Sequence, residues 1–292
     1  MPERKIVVIE PEGPREWYQP LEVFGEVEFF SPAGTIGPEL VRELARGSEA
    51  VIITSSCGFS AEDMDDLPTL RIIAKCGGKP SSVDVEAATG RGIAVTYVPG
   101  ANSSTVAEFT VMLILDCLRR FPFISTSIGE GLDRNTTDMF GRELRGKTVG
   151  LIGFGAVGKE VTRRLAGFDC RVEVHDPFYE PDGSEPPCLT FRGSLDEVLP
   201  GADVLSLHCT LSGSTKGMIG DRELRMMKPS AGIINTARAQ LVDERALEAA
   251  LREKRLAFAA LDVFTVEPPG PDHPLIDLEN VILTPHLASW TP

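Results

Sequence analysis

The segment Thr148-Val-Gly-Leu-Ile-Gly153-Phe-Gly155-Ala-Val-Gly158-Lys-Glu-Val leaves this chain few ways to fold. Three glycines in a Gly-x-Gly-x-x-Gly pattern mean little alone. Here an apolar run precedes them and a helical pattern follows, the strand–turn–helix context in which such a loop cradles a pyrophosphate. Gly153 permits the tight turn, Gly155 lets the backbone approach a phosphate, and Gly158 lets the helix pack against the strand. The amides of Ala156 and Val157 then face the phosphates, with the positive helix end behind them. The next strand ends at His175-Asp176, and Asp176 stands 18 residues past Gly158, near the ~20 expected of a ribose-binding carboxylate. An acid there accepts from both ribose hydroxyls and repels a 2′-phosphate, which favours NAD over NADP. The plainer alternative is a turn aspartate before Pro177.

Strand–helix alternation extends over most of the chain. Strand candidates in the first hundred residues are Lys5–Ile9, Val27–Phe30, Ala50–Thr54, Arg71–Lys75 and Ile93–Thr96, with helical patterns at Gly37–Arg46, Ser60–Asp66 and Asp84–Arg91. Nearly continuous apolar strands between helices imply a parallel sheet covered on both faces. Pro99-Gly100 marks a turn, and Asn102 or Ser103 can cap the long apolar helix Val106–Leu118, which ends in Arg119-Arg120 before Pro122. Residues 125–145 have no clear period, and Gly129-Glu130-Gly131 suggests an irregular loop. The alternation then resumes with strands Thr148–Ile152, Arg171–His175, Val204–Leu207, Gly232–Asn235, Ala257–Leu261 and Val281–Leu283. Their helices lie near Val157–Gly167, Ser194–Leu199, Asp221–Met226 and Asp243–Lys254. The expected fold class is α/β: two Rossmann-like or flavodoxin-like domains with parallel sheets. Residues 1–100 would form the first domain, residues 101–285 the dinucleotide-binding one, and 286–292 would return toward the first.

Length and charge narrow the partners. The 292 residues suffice for two domains, and 42% hydrophobic with 25% charged residues is ordinary globular composition. With 29 basic against 43 acidic side chains the net charge is −14, which repels phosphate backbones, so nucleic acid is not an expected partner. No run approaches the ~18 apolar residues of a bilayer span. Ile6–Ile9 is too brief for a signal-peptide core. The six cysteines (Cys57, Cys76, Cys117, Cys170, Cys188, Cys209) are scattered with no Cys-x-x-Cys pair, the pattern of reduced cytoplasmic thiols rather than of a metal site or disulfide framework.

Three segments at the ends of later strands carry unusual polar residues: Asn235-Thr-Ala-Arg238-Ala-Gln-Leu-Val-Asp243, Asp262-Val-Phe-Thr-Val-Glu267-Pro268 and Thr284-Pro-His286-Leu-Ala-Ser289. The ligand crevice of an open α/β sheet lies beyond its strand ends, so Arg238, Asp262, Glu267 and His286 could converge there. Read singly, Arg238 could be a surface arginine, Glu267 a loop acid, and His286 a partner for a buried carbonyl. Together with the glycine loop and Val106-Ala-Glu-Phe-Thr110, in this order and spacing, the segments resemble the D-isomer-specific 2-hydroxyacid dehydrogenase family. The resemblance runs from about Ile72 to Ser289.

That resemblance implies hydride transfer between NAD and a 2-hydroxy or 2-oxo acid, in an active site in the cleft between the domains. A histidine titrates near neutrality, which suits His286 to be the acid/base. Glu267 would orient it, and Arg238 would clamp the substrate carboxylate and polarise the carbonyl. Asp262 would contact the nicotinamide carboxamide. His208, Cys209, Thr236, Ala237, Ser289 and the catalytic Arg238 and His286 would complete the cofactor wall. Asn235 is expected to shape its strand end, and His175 and His273 have no expected catalytic role. In the first domain, Ala74-Lys75-Cys-Gly77-Gly78-Lys79-Pro80-Ser81-Ser82 matches a loop that binds the substrate carboxylate, through Lys75, Gly77, Gly78 and Lys79 here.

The chain departs from the family pattern in places. Lys79 and Ser81-Ser82 replace a second glycine and Asp-Asn, which bears on substrate identity. Ala239 follows Arg238 where glycine is usual, tolerable unless that residue needs positive φ. The sequence stops at Pro292, so the family's C-terminal helix is expected to be absent. A homodimer is expected, with the Val106–Leu118 helix as one face; a buried interdomain helix would show the same pattern. The other reading is an NAD(H)-sensing, corepressor-like protein with little turnover. A formate dehydrogenase is disfavoured because that branch pairs its histidine with glutamine.

Overall fold

The computed structural model describes residues 4–9, 13–31, 36–53, 57–80, 82–127 and 140–291. Thr54, Ser81, Pro292 and the expected loop at Gly129-Glu130-Gly131 lie outside them. The chain divides into two compact units, with the boundary between Asn102 and Ser103.

In the first unit, β1 (Lys5–Ile9), β2 (Glu26–Phe30), β3 (Ala50–Ile53), β4 (Ile72–Lys75) and β5 (Ala94–Tyr97) form a five-stranded sheet in the order β2-β1-β3-β4-β5. Every pairing is parallel, the flavodoxin-like arrangement. Helices α1 (Pro38–Ala45), α2 (Ala61–Asp65) and α3 (Val85–Gly90) connect the strands. Helix α2 starts at a capping box in which Ser60 N–H donates to Asp63 Oδ2 at 2.8 Å and Asp63 N–H donates to Ser60 Oγ at 3.3 Å. Val7, Val51, Ile53 and Ile73 are fully buried and form the core with Phe59 and Leu67.

The second unit begins with α4 (Ser103–Arg119) and α5 (Phe121–Ser127). Strands β6 (Thr148–Ile152), β7 (Arg171–His175), β8 (Leu189–Phe191), β9 (Val204–Leu207), β10 (Gly232–Asn235), β11 (Phe258–Leu261) and β12 (Val281–Leu283) follow, with α6 (Ala156–Leu165), α7 (Leu195–Val198), α8 (Asp221–Met226) and α9 (Glu244–Arg252) between them. They make a seven-stranded sheet in the order β12-β11-β10-β9-β6-β7-β8, parallel throughout. The chain builds outward from β6 on one side, then returns to build outward from β9 on the other. The connections leaving β6 and β9 therefore diverge, and a crevice opens at their carboxyl ends. Strands β6, β9 and β10 are buried along their whole length, as a sheet covered on both faces requires.

Three elements depart from the sequence reading. The edge strand β8 and the 3-10 helix Arg15–Val23 had no expected counterpart. Pro122, read as a stop, lies in the first turn of α5, where proline's missing N–H costs nothing. Residues 286–291, expected to return toward the first domain, group with the second unit. The apolar face of α4, the expected dimer face, is used inside its own unit: Ala107, Val111, Leu113 and Ile114 join one core cluster with Val149, Leu151 and Val161. Among the described residues no helix is long and apolar enough to cross a membrane.

Candidate active site

The glycine loop leaves β6 at the centre of the second sheet. Because Ile152 pairs with Leu207 of β9, Gly153 faces the turn after that strand at the same level. A Cβ on Gly153 would stand 2.6 Å from Cys209 N and 2.7 Å from His208 C, and its φ is +98°. Only glycine meets both conditions. At Gly158 a Cβ would fall 2.4 Å from the Gly153 carbonyl oxygen, which is how α6 comes to start directly against the turn. Around Gly155 nothing lies within 4 Å of a built Cβ, and Gly155 and Ala156 are exposed. That open face, at the start of a ten-residue helix with no acid in its first turn, fits a dinucleotide pyrophosphate.

Asp176 closes this corner. Its Oδ2 accepts from Phe154 N–H at 2.7 Å and its Oδ1 from Phe178 N–H at 2.9 Å. The carboxylate is thus fixed beside the glycine loop, with lone pairs left on both oxygens for a ribose. His208 and Cys209 flank the same turn. Burial pushes the His208 imidazole down to about 3, so it is neutral, and its Nε2 meets Ser206 Oγ at 2.9 Å. Burial also pushes the Cys209 thiol up to about 11, which leaves it unreactive.

The other flank is built from the ends of β10, β11 and β12. His286 Nδ1 meets Glu267 Oε2 at 2.7 Å, although the two residues leave different segments. Glu267 Oε1 accepts from Phe264 N–H at 3.0 Å, so both carboxylate oxygens are used. With Nδ1 donating to an acid, Nε2 is the nitrogen free to exchange a proton with a ligand. His286 has φ +55°, a left-handed conformation that costs about 1–2 kcal/mol for a side chain with a Cβ. What holds it is Asp262. This fully buried carboxylate accepts from Thr284 Oγ1 at 2.7 Å, Leu287 N–H at 2.8 Å and Ala288 N–H at 2.9 Å. Asp262, the residue expected at the nicotinamide carboxamide, thereby ties the His286 turn to the end of β11.

Arg238 is exposed on the adjacent strand end, where its Nη1 donates to its own turn at Ala237 O (2.6 Å). Asn235 shapes that turn, as expected, by donating to Arg238 O and accepting from Ala237 N–H. Ala239 starts a 3-10 turn without positive φ, so its methyl is accommodated. Thr236 is anchored by a residue that the sequence did not single out for a role. Thr110 donates to Val106 O at 2.8 Å, so at the 2.9 Å contact between the two hydroxyls Thr236 must be the donor. A threonine within an apolar helix was the available signal. Ser289 is half-buried just past the His286 turn. In the first unit Lys75 is buried at the end of β4, and Gly77, with φ +149°, opens the loop that carries Gly78 and Lys79.

Comparison with known proteins agrees with this architecture. Residues 111–288 match the family model described as D-isomer specific 2-hydroxyacid dehydrogenase, NAD binding domain. A D-3-phosphoglycerate dehydrogenase of Archaeoglobus fulgidus is 38% identical over 253 residues, 87% of this chain and 47% of that protein. The chain spans about half the length of the phosphoglycerate dehydrogenases it matches. A glyoxylate reductase of Thermofilum pendens is 40% identical over 257 residues, 87% of this chain and 75% of that one. A solved structure of a Thermus thermophilus protein superposes with a TM-score of 0.89 at 33% identity, covering 98% of this chain and 90% of the other. The chain belongs to the D-isomer specific 2-hydroxyacid dehydrogenase family.

Proposed function

We propose that this protein interconverts a D-2-hydroxy acid and its 2-oxo acid with a nicotinamide cofactor, using His286 as acid/base, Glu267 to orient it and Arg238 to bind the substrate. The observation that most supports this is the 2.7 Å contact between His286 Nδ1 and Glu267 Oε2, at the same carboxyl end of the sheet as the glycine loop. The cofactor would lie along Gly153, Gly155, Ala156, Val157 and Gly158, with Asp176 at its ribose and His208, Cys209, Thr236, Ala237 and Ser289 along its path. When bound it supplies a two-electron reductant or oxidant at its nicotinamide ring. The Glu267 carboxylate holds the imidazole with Nδ1–H donated to it, so Nε2 delivers a proton to the carbonyl oxygen in reduction and takes it back in oxidation. Arg238, leaving its contact with Ala237 O, would grip the substrate carboxylate with its planar fork and draw charge toward the carbonyl oxygen. In the first unit, Lys75, Gly77, Gly78 and Lys79 are the residues proposed to bind substrate. Asp176 favours NAD, because it would repel a 2′-phosphate. A homodimer built on α4 and α5 would use their outer side, where Met112 and Phe121 stay exposed; light scattering tests it.

The test is NADH and NADPH oxidation against glyoxylate, hydroxypyruvate, pyruvate, 2-oxoglutarate and phosphohydroxypyruvate, with His286→Ala and Glu267→Gln in parallel. Turnover with NADH that His286→Ala loses by about a hundredfold or more supports the assignment. Turnover that survives His286→Ala sinks it. NADH binding with no turnover on any acid would favour the sensing role.

A further inference from the structure

The segment that carries Glu267 leaves β11 at Asp262 and rejoins the core at Leu275, which is fully buried. Between them, Pro268, Pro269, Pro271 and Pro274 offer no backbone N–H, so the loop has few main-chain bonds with which to fix itself. Packing does little beneath it either: a recess of about 280 Å³ opens there, lined by Glu244, Val266, Asp272 and His273 among others. The His273 side chain stands at that gap. The His273 ring stands edge-on to Phe264, with centroids 5.3 Å apart and planes at 85°. Its Nδ1 accepts from Leu275 N–H at 3.4 Å, so Nε2 carries the hydrogen, and Glu244 Oε1 stands 3.3 Å from that nitrogen at the start of α9. On the same helix, Arg252 Nη2 donates to Pro274 O at 2.8 Å. Phe264, held by that ring, supplies the N–H that fixes Glu267 Oε1.

We propose that His273 is a positioning residue for the Glu267–His286 pair: braced on Glu244, its imidazole fixes Phe264 and so aims the Glu267 carboxylate at His286 Nδ1. This rests on the reading of that pair as the proton-transfer device. The brace acts through three contacts and touches neither substrate nor cofactor. Losing it leaves Glu267 free to swing, and His286 loses its reason to keep hydrogen on Nδ1. Outer partners that orient a metal-bound imidazole typically matter by about 10–100-fold, which sets the scale expected for this one.

The test reads the histidine tautomers by nitrogen–proton NMR, which needs no turnover and is tractable with four histidines. His286 in the native chain is expected as the Nδ1–H form, and Glu267→Gln identifies its signal. His273→Ala is expected to spread His286 over both tautomers. If the chain reduces a 2-oxo acid, kcat should fall about tenfold or more while the NADH dissociation constant stays within about twofold. His273→Gln, whose amide can still donate to Glu244, should restore the Nδ1–H form. A folded His273→Ala protein with an unchanged His286 tautomer overturns the proposal, as does failure of His273→Gln to restore it. If His273→Ala does not fold, Glu244→Gln decides: a partial spread supports the brace, and an unchanged spectrum overturns it. Absence of turnover in the native chain would sink the functional reading and leave the NMR result to judge the brace.

Discussion

Replacing Gly153 with alanine should unfold the second unit far more readily than replacing Gly155, two residues along the same loop. At Gly153 the new methyl would meet main-chain atoms of Cys209 and His208 at 2.6–2.8 Å, and its backbone sits at φ +98°. The conformational strain is about 1–3 kcal/mol. Overpacking against backbone that cannot rotate away adds about 1–3 kcal/mol, so a loss of about 2–6 kcal/mol is expected. For a unit of this size each kcal/mol moves the melting temperature by about 2–4 °C, so the midpoint should drop by roughly 4–24 °C. Gly155 has φ −72° and nothing within 4 Å of a built Cβ, so its alanine variant should stay within about 1 kcal/mol of native. Its methyl would instead occupy the face proposed for the pyrophosphate, with NADH affinity reduced about tenfold or more, or about 1.4 kcal/mol. Thermal melts and fluorescence titration with NADH separate the two effects. Equal melting of the two variants would refute the close-approach argument, and undiminished NADH binding by Gly155→Ala would refute the placement of the phosphates.

Three further outcomes follow from buried polar groups. Asp262→Asn keeps the shape but turns an amide hydrogen pair toward either Ala288 N–H or the Thr284 and Leu287 donors; a loss of about 2–4 kcal/mol in urea unfolding is expected, with activity reduced as the His286 turn relaxes. Thr110→Val removes the acceptor of the Thr236 hydroxyl and should cost about 1–3 kcal/mol, whereas Thr110→Ser should recover most of it; equal losses in the two would mean that the methyl matters more than the hydroxyl. His208 sets an acid limit. Its folded value of about 3 lies below the usual 6.5, so the unfolded chain binds a proton that the folded one refuses. The stabilisation is complete above pH 6.5 and is lost on acidification toward pH 3, by at most about 1.4 kcal/mol per pH unit. Urea midpoints between pH 7 and pH 5 should fall less steeply in His208→Asn, and parallel slopes would remove this histidine from the acid response.

What the sequence made legible is what local chemistry controls. Strands such as Thr148–Ile152 and Gly232–Asn235 are continuous apolar runs because both faces of the sheet are covered, and their limits agree with the structure. Strand β8 was missed because it has three residues, none fully buried, and exists only by pairing with β7. The helix Phe121–Ser127 was hidden by Pro122, which ends one helix or begins another depending on what precedes it. At the site, Gly153 and Gly158 were readable because each answers a steric demand of the strand–turn–helix, and Gly155 because it leaves a face open for a phosphate. The contact of Glu267 with His286 was suggested only by kinship, since 19 residues separate them and sheet topology alone brings β11 beside β12. No pattern in the sequence records that Asp262 also holds the backbone of Leu287 and Ala288.

The Asp262 carboxylate also limits how this scaffold can be recombined. Loops at the ends of parallel strands are usually exchangeable one at a time, since each hangs from its own strand. Here the loop after β11 and the turn after β12 are tied through one buried acid, which sets the backbone of the second from the end of the first. A chimera with a crossover between residues 262 and 288 would inherit an acid without its amides, or amides without their acid. Crossovers outside that interval would move both together, so Asp262 through Ala288 is the smallest piece that could be grafted intact.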